Sequence, residues 1–378
     1  MKNCLIIAGE KSGEEHALSF IKTINSLNQE CAFWGVGGDE LEREGMELTY
    51  HLKDFSSWGI SEVIGKIPFY LNALKNIEQL VKEKKCKVAI LIDFQDFNLR
   101  LAKRLKKQGV NVLYYVAPQA WVWKSYRAEV IEKCVHSLFT IIPFEKKWFE
   151  QRGVTRVKQV AHPLWLNYKD QLSDLPPKRT YSEVQKKLRV LLLPGSRNFE
   201  VASLLPDFIK ATKEISQQRD IEVGLVVSSN VKSELFDPYL ADCDFIWDNE
   251  QLPEALKWAD CSMAASGTVT LATALFCVPT VVVYKSSLLN VYIFYTFLSY
   301  DGHVSLANIV HDEEIFPELI QERASVYNIK TELMKFLESE QSYNSIIEKV
   351  SKTRSLISGG DFDAGEYMAK VIEESYEL

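Results

Sequence analysis

Short runs of aliphatic and β-branched residues alternate with amphipathic stretches of helical periodicity, and this alternation most restricts the fold of the chain. It runs from Cys4 to about Leu166 and starts again between Leu188 and about Tyr284. Such alternation predicts parallel sheets covered by helices. We therefore expect an α/β protein with two Rossmann-like domains, each of which binds ligands in the loops after its strands.

The expected strands fall at residues 4–8, 32–36, 88–93, 112–116 and 137–141, and then at 190–193, 222–227, 245–247, 261–264 and 280–284. Residues 168–187 are polar, contain Pro176-Pro177 and show no strand pattern, which is typical of a linker. We place the N-terminal domain at 1–167, the linker at 168–187, the C-terminal domain at 188–345 and a helical segment at 346–378.

The composition excludes several classes of protein. Of the 378 residues, 47% are hydrophobic and 25% are charged, as in ordinary soluble globular proteins. The formal net charge of −7 disfavours a general nucleic-acid binder. The seven cysteines form no CxxC pair, which favours a reducing compartment. No apolar run reaches the ~18–20 residues of a membrane span, so we expect a cytoplasmic protein whose membrane contact is peripheral.

The loop after the first strand combines glycines with acidic residues. Glu10, Ser12 and Gly13 are candidates to bind sugar hydroxyls, since the clustered carboxylates disfavour phosphate. A strand-to-helix turn with acidic residues at the helix N-terminus explains the same residues equally well.

Polar residues also follow the strand at 88–93. A carboxylate among aromatic neighbours has a raised pKa and can act as a base, which favours a chemical role for Asp93. Asp96 or Asn98 is expected to cap the next helix, and we favour Asp96 as the cap. Further along, Trp121, Trp123 and Lys124 are candidates to line an acceptor site.

In the second half, Arg197 follows a strand and is well placed to neutralise a phosphate. Residues 264–271 predict a strand, a loop of small residues and a helix whose N-terminus can bind a diphosphate. Neither segment has the Walker A or GxGxxG spacing, which disfavours NTP hydrolysis and hydride transfer. The six histidines are scattered and lack the paired spacing of a metal site.

Two segments, 58–80 and 288–300, are rich in apolar and aromatic residues. Apolar patches rimmed by cations are typical of membrane-binding surfaces. The first segment supplies the membrane candidates Trp58, Ile60, Ile64, Ile67, Phe69 and Tyr70. Packing of an amphipathic helix on a sheet is the alternative.

An ordered set of motifs, spread over nearly the whole chain, resembles the lipid A disaccharide synthase family of inverting glycosyltransferases with the GT-B fold. These motifs are Ala8-Gly9-Glu10 with Ser12-Gly13, Gly35-Val36-Gly37-Gly38, Asp93 with Asp96-Phe97-Asn98, Tyr115-Val116 with Pro118, Trp121 with Trp123, Pro143-Phe144-Glu145, His162-Pro163, Leu193-Pro194-Gly195-Ser196-Arg197 with Glu200, Ser266-Gly267-Thr268, and Val304-Ser305-Leu306 with Asn308.

The resemblance implies two domains that face a central cleft and a C-terminal helix that packs back on the first domain. It implies transfer of 2,3-diacylglucosamine from its UDP derivative to the 6-hydroxyl of 2,3-diacylglucosamine 1-phosphate. The products would be UDP and the β-1′,6-linked disaccharide 1-phosphate of lipopolysaccharide biosynthesis in a Gram-negative bacterium. The implied partners are these substrates, lipids of the inner leaflet and, as an option, a second copy in a homodimer. No cofactor and no metal are implied.

The resemblance also assigns roles to residues, with Asp93 as the base. The implied donor site consists of Gly195, Ser196, Arg197, Glu200, Ser266, Gly267, Thr268 and Asn308. The implied acceptor site consists of Glu10, Ser12, Gly13, Asn98, Trp121, Trp123 and Lys124.

Four positions depart from the family pattern. Glu14 stands where Asp is usual, Lys124 replaces Arg, Ala307 replaces Pro, and Ala272 replaces a Glu that GT-B enzymes use for the ribose. Glu200 and Asn308 are the candidates to compensate for that missing carboxylate. Two alternative functions stay open: a UDP-sugar 2-epimerase or other GT-B transferase with soluble substrates, and a non-catalytic UDP-sugar-binding protein of the envelope.

Overall fold

The computed structural model describes residues 2–27, 31–55, 65–122, 124–285, 302–360 and 362–377. The chain divides into two compact units, one of Met1–Pro163 with Gly359–Leu378 and one of Leu164–Ser358. Each unit contains one sheet in which the described neighbouring strands are parallel. The expected pair of parallel α/β domains is confirmed.

The sheet of the first unit has the strand order β3-β2-β1-β4-β5-β6-β7. Its strands are β1 Lys2–Ala8, β2 Cys31–Gly37, β3 Glu47–His51, β4 Val88–Ile92, β5 Asn111–Tyr115, β6 Ser137–Thr140 and β7 Val157–Gln159. Its helices are Lys11–Leu27, Asp39–Arg43, Leu52–Phe55, Ile67–Glu83, Gln95–Lys106, Arg127–Cys134, Pro143–Glu150 and Ala364–Glu377.

Strand β1 shows why this sheet needs cover on both faces. Its side chains alternate, with Leu5 and Ile7 in one apolar core and Cys4, Ile6 and Ala8 in another. Helices Ile67–Glu83 and Gln95–Lys106 contribute to the first core. Helices Lys11–Leu27 and Ala364–Glu377 contribute to the second.

The last helix is tied to the sheet by hydrogen bonds as well as by apolar contacts. Met368 and Ile372 are fully buried. The Tyr376 hydroxyl donates to the carbonyl oxygen of Asn3 at 2.7 Å, and Asn111 Nδ2 donates to Ser375 Oγ at 2.9 Å. The end of the chain is therefore part of the first unit.

The sheet of the second unit has the strand order β10-β9-β8-β11-β12-β13. Its strands are β8 Leu188–Leu193, β9 Ile221–Val227, β10 Phe245–Asp248, β11 Cys261–Ala265, β12 Thr280–Tyr284 and β13 Glu318–Ile320. Its α-helices are Pro163–Ser173, which begins at the boundary, Tyr181–Lys186, Asn198–Ser216, Leu252–Trp258, Thr268–Leu275, Leu306–His311, Val326–Lys335, Glu340–Ser351 and Thr353–Ile357.

The second unit starts earlier and ends later than the sequence led us to expect. Residues 168–187, expected to be a linker, contain Val184 in the core and Arg179, which donates to the buried Asp260 at 2.6 Å. Residues 346–358, expected with the C-terminal segment, contribute Ile346 and Val350 to the same core. In both places a few apolar side chains are buried within an otherwise polar stretch.

All ten expected strands are confirmed to within two residues, and β3, β7 and β13 are additional. These three strands lie at sheet edges and have mostly half-buried or exposed residues, so they lack the apolar run by which the others were found. Among the described residues, no helix combines the length and the apolar character that crossing a bilayer requires.

Gly359 lies where the chain returns to the first unit, and its replacement tests how closely the backbones approach there. Its φ is +75°, and a Cβ would lie 2.2 Å from the Ala161 amide nitrogen. Gly360 has a φ of +64° with open space around it. A left-handed φ alone costs about 1–2 kcal/mol for an L-residue. We therefore expect Gly359→Ala to lower the unfolding free energy by clearly more than Gly360→Ala.

Denaturant unfolding and hydrogen exchange of residues 364–377 measure this difference. Exchange in the last helix should accelerate strongly in Gly359→Ala and weakly in Gly360→Ala, because only the first change displaces backbone. Equal effects of the two substitutions would show that the close approach to Ala161 is unimportant.

Candidate functional site

Asp93 lies in an unusual turn directly after β4. Asp93 and Phe94 have φ values of +45° and +41°, which non-glycine residues rarely adopt. The Asp93 carbonyl oxygen accepts from Asn98 Nδ2 and from the Tyr114 hydroxyl, both at 2.9 Å, and its N–H donates to the Tyr115 carbonyl. These bonds offset the cost of the strained backbone, which is about 1–3 kcal/mol per residue.

The surroundings of Asp93 favour its protonated form. Burial and the nearby negative charge of Glu10 raise the pKa of its carboxyl group to about 6. A group with this pKa is mostly ionised near neutral pH and accepts a proton more readily than an ordinary aspartate. The carboxylate therefore has the properties of a general base.

The turn after β1 contacts the turn after β4. A Cβ on Gly9 would lie 3.0 Å from the Phe94 ring, and one on Gly13 would lie 3.4 Å from the Ala8 Cα. Gly13 is buried, whereas Glu10 and Ser12 are exposed. Gly13 thus serves helix packing, and of the three predicted residues only Glu10 is linked to Asp93, through its charge.

Glu14, where Asp was expected, also has a structural role. Its buried carboxylate accepts from the backbone N–H groups of Glu40 and Leu41 at 3.0 and 3.1 Å, and from Lys11 Nζ at 2.9 Å. A Cβ on Gly38 would lie 2.6 Å from this carboxylate. Gly38 therefore makes room for a carboxylate that caps helix Asp39–Arg43.

Two of the polar residues after β4 differ from their expected roles. The expectation that Asp96 caps the helix is wrong, because its carboxylate accepts from the buried Arg127 at 2.8 Å and from Lys124 at 3.5 Å. The N-cap position is occupied by Phe94. Asn98 is fully buried, and its amide donates to the carbonyls of Ile92 and Asp93. These hydrogen bonds let Asn98 shape the turn that carries Asp93.

Trp121, a predicted acceptor residue, lies in the loop after β5. Its indole N–H donates to Glu145 Oε1 at 3.0 Å, and its ring packs edge-on against Phe144 with the centroids 5.0 Å apart. Trp123, its predicted companion, lies outside the described residues. Lys124 is only part-exposed and is paired with Asp96.

In the second unit, a cavity of about 460 Å³ opens at the carboxyl ends of β8, β9 and β11. This edge is the point where the strand order reverses between β8 and β11, as expected for a ligand site in an open α/β sheet. Seven of the eight predicted donor residues line it: Gly195, Ser196, Arg197, Glu200, Ser266, Gly267 and Thr268.

The loop after β8 is built around Glu200. Gly195 has a φ of +112°, and a Cβ there would lie 2.4 Å from Glu200 Oε2. The Glu200 carboxylate accepts from the Ser196 N–H at 3.1 Å and from Arg197 Nη1 at 2.9 Å. Arg197 is 79% exposed. Glu200 therefore orients a cation that can bind an anionic ligand.

Helix Thr268–Leu275 points its N-terminus at the cavity, since Ser266, Gly267, Thr268 and Val269 all form part of the wall. Its N-cap Gly267 provides no capping side chain. The free N–H groups and the helix dipole favour a negatively charged group at this position.

Asn308 is the eighth predicted donor residue, and the structure corrects its role. Its amide is fully buried and donates to the Phe316 carbonyl and to Glu318, while its oxygen accepts from the N–H groups of Ile315 and Phe316. All of its hydrogen-bonding capacity is thus used within the protein. Ala272 lines the cavity, and among the described lining residues Glu200 is the sole carboxylate.

The predicted membrane candidates are only partly described. Trp58, Ile60 and Ile64 lie outside the described residues. Phe69 and Tyr70 are half-buried and contact Phe55 edge-on or tilted, so they pack in an aromatic cluster. Ile67 is 47% exposed and Leu71 is 40% exposed. Within the described parts of the chain, no three His, Cys, Asp or Glu side chains come together as a metal site does.

Three residues near these sites were missed by the sequence analysis. Glu145 belongs to the Pro143-Phe144-Glu145 motif, so the sequence marks this residue but assigns it no role. The sequence offers Tyr114 only as one aromatic residue at a strand end, and it gives no signal for Glu318, which belongs to no motif.

Comparison with known proteins agrees with these observations. A family model described as lipid-A-disaccharide synthetase matches residues 4–372. The lipid-A-disaccharide synthase of Nitrosococcus oceani is 32% identical over 362 residues, which cover 94% of this chain and 92% of that protein.

Solved structures show the same fold at low sequence identity. A putative UDP-N-acetylglucosamine 2-epimerase from Listeria monocytogenes has a TM-score of 0.60 and 11% identity, with 99% of this chain and 96% of that chain covered. The calicheamicin glycosyltransferase CalG4 has a TM-score of 0.57 and 12% identity, with 100% and 98% covered. These likenesses confirm the GT-B fold. Because the family model matches nearly the whole chain, we conclude that this chain belongs to the lipid-A-disaccharide synthetase family.

Proposed function

We propose that the chain is an inverting glycosyltransferase that transfers 2,3-diacylglucosamine from UDP-2,3-diacylglucosamine to the 6-hydroxyl of 2,3-diacylglucosamine 1-phosphate. Family membership supplies the reaction. The structural observation that carries its chemistry is Asp93, a desolvated carboxylate in a rigid turn at the carboxyl end of β4. The family match favours this transfer over epimerisation of a UDP sugar.

In the proposed mechanism, Asp93 removes the proton of the acceptor hydroxyl as its oxygen attacks the anomeric carbon of the donor. The new C–O bond forms on the face opposite UDP, the bond to UDP breaks, and the centre inverts in one displacement. The charge that develops on the leaving diphosphate is stabilised by Arg197 and by the N-terminus of helix Thr268–Leu275. Each well-placed donor of this kind contributes about 3–4 kcal/mol to transition-state stabilisation.

Replacement of the base tests the mechanism. Asp93→Asn should lower kcat at least ~10²-fold, as expected for loss of a general base, measured as disaccharide formed in detergent micelles by mass spectrometry. Wild-type activity should rise as the pH increases through about 6, where Asp93 ionises. Asp170→Asn, the same change at an exposed carboxylate, should leave kcat unchanged.

The same substitution has a predictable effect on stability, which separates catalysis from folding. A carboxyl group whose pKa is raised from 3.8 to about 6 on folding holds its proton more tightly in the folded state. Stability is therefore lost as the pH rises between these values. The Tm of Asp93→Asn minus the Tm of wild type should therefore be larger at pH 7 than at pH 4. A less active and equally destabilised protein at both values would contradict the role of Asp93.

Removal of the cavity cation tests donor binding. Arg197→Ala should weaken UDP binding ~10–100-fold, since a hydrogen bond to a charged group contributes about 1.5–3 kcal/mol. Titration calorimetry measures this loss, and binding of uridine, which lacks phosphate, should not change. Arg323→Ala, at an exposed arginine outside the cavity wall, serves as the control. An unchanged UDP affinity in Arg197→Ala would contradict diphosphate binding at this loop.

The acyl chains of both substrates belong to a membrane, and we propose that the start of helix Ile67–Glu83 meets the inner leaflet. Support comes from two exposed apolar side chains one turn apart, Ile67 and Leu71, in a helix that also exposes Lys75. This arrangement fits an interfacial surface. Lipids of the inner leaflet would then be partners of a cytoplasmic, peripherally attached enzyme.

Polar substitution tests this surface. The double variant Ile67→Ser, Leu71→Ser should sediment with anionic phospholipid vesicles ~10-fold less than wild type, because two apolar side chains no longer insert. Leu27→Ser changes another apolar residue that is 57% exposed in the same unit and should sediment as wild type does. Equal losses in both proteins would contradict a local docking surface.

A further inference from the structure

Glu145 is a buried acid for which neither the proposed mechanism nor the motif pattern supplies a role. It lies in the first turn of helix Pro143–Glu150, directly after β6, and only 1% of it is exposed. Carboxyl groups this deeply buried are rare unless they are paired or hydrogen-bonded. Its partners therefore indicate what it does.

One carboxyl oxygen of Glu145 faces the backbone at the start of its own helix, and the other faces the loop that carries Trp121. Oε2 lies 3.4 Å from the Ile142 N–H, at the start of the helix. Oε1 accepts from the Trp121 indole N–H at 3.0 Å. The hydrogen bond to Trp121 has an ordinary length, whereas the one to the Ile142 N–H is long. Capping of the helix alone therefore does not explain why an acid is buried here.

The helix start holds the Trp121 indole at two points. Glu145 binds the N–H end of the ring, and Phe144 packs edge-on against it at 77°. Pro143, at the first position of the helix, has a fixed φ and lacks a donor that would compete there. The Pro143-Phe144-Glu145 motif thus fixes the position of the Trp121 side chain.

The candidate base acts on Glu145 through its charge. Burial raises the pKa of its carboxyl group to about 8, and the negative charge of Asp93 acts in the same direction. Asp93 itself faces Glu10 from the β1 turn and the Tyr114 hydroxyl from β5. Among the charged groups nearby, Lys124 and Arg127 are both paired with Asp96.

We propose that Glu145 is a positioning residue for the acceptor half of the reaction, which fixes the Trp121 indole as a platform for the acceptor sugar ring. This inference rests on the proposed function. A flat aromatic face presents apolar surface to the C–H side of a sugar, and its orientation determines where the hydroxyl lies. Trp121 touches the acceptor, and Glu145 acts through Trp121.

Steady-state kinetics on three variants test the proposal, with the acceptor and the donor varied separately. Glu145→Ala removes the bond to the indole and should raise the KM for 2,3-diacylglucosamine 1-phosphate at least ~10-fold, with the KM for the UDP donor within ~2-fold of wild type. Glu145→Gln retains an oxygen that accepts from the indole and should restore the acceptor KM. Ionisation of Glu145 should give the wild-type pH profile an inflection near pH 8, and Glu145→Gln should lack it.

A double-mutant cycle identifies the route by which Glu145 acts. Trp121→Phe keeps the aromatic ring and removes the donor, so it should raise the acceptor KM. Glu145→Ala combined with Trp121→Phe should be no worse than Glu145→Ala alone, because both remove the same bond. Phe149→Leu loses packing at a fully buried residue of the same helix and should lower the Tm without a change in acceptor KM.

The possible results separate this inference from the proposed function. An active wild type in which Glu145→Ala or Trp121→Phe leaves the acceptor KM unchanged would overturn the inference alone. Equal rises in the KM of donor and acceptor, or additive effects in the double variant, would do so too. A wild type that forms no disaccharide would overturn the proposed function and the inference together. If Glu145→Ala does not fold, Trp121→Phe and Glu145→Gln decide the question on their own.

Discussion

Parallel strands leave little choice about where this protein can perform chemistry. Helices cover both faces of such a sheet, so its central strands are apolar along their whole length, and polar side chains collect in the turns at the strand ends. Because all strands of a sheet point the same way, their carboxyl ends share one edge. In the first unit this edge brings together the turns that follow β1, β4, β5 and β6. In the second it brings together the turns that follow β8, β9 and β11.

The two edges differ in electrostatic character. The first collects carboxyl groups whose pKa is raised by burial, as in Asp93 and Glu145. The second collects an exposed arginine and the N-terminus of a helix. Groups of the first kind accept protons, and groups of the second kind stabilise anions. A glycosyl transfer with a diphosphate leaving group needs both, and the chain assigns them to different sheets.

The sequence predicted most where residues act in patterns and least where a single contact decides. Apolar runs gave the central strands and the edge strand β10, whereas the edge strands β3, β7 and β13 contain too few apolar residues to show such a run. Motifs gave Asp93 and seven of the residues that line the cavity. They could not show that Asn98 and Asn308 are buried among backbone carbonyls, because the same amide suits a ligand or a loop. Glu145 was visible in a motif, but its bond to Trp121 joins residues that only the fold brings together.

The position of the last helix in the sequence limits the order in which the two units can fold during synthesis. A ribosome releases the seven strands of the first sheet long before it makes Ala364–Glu377, the helix that covers part of one face of that sheet. Domains usually fold as they emerge, with the N-terminal one first. Here the second unit is fully synthesised before the first has received its last helix. During translation, Ile6 and its neighbours therefore stay without part of their apolar cover until the helix Ala364–Glu377 has been made.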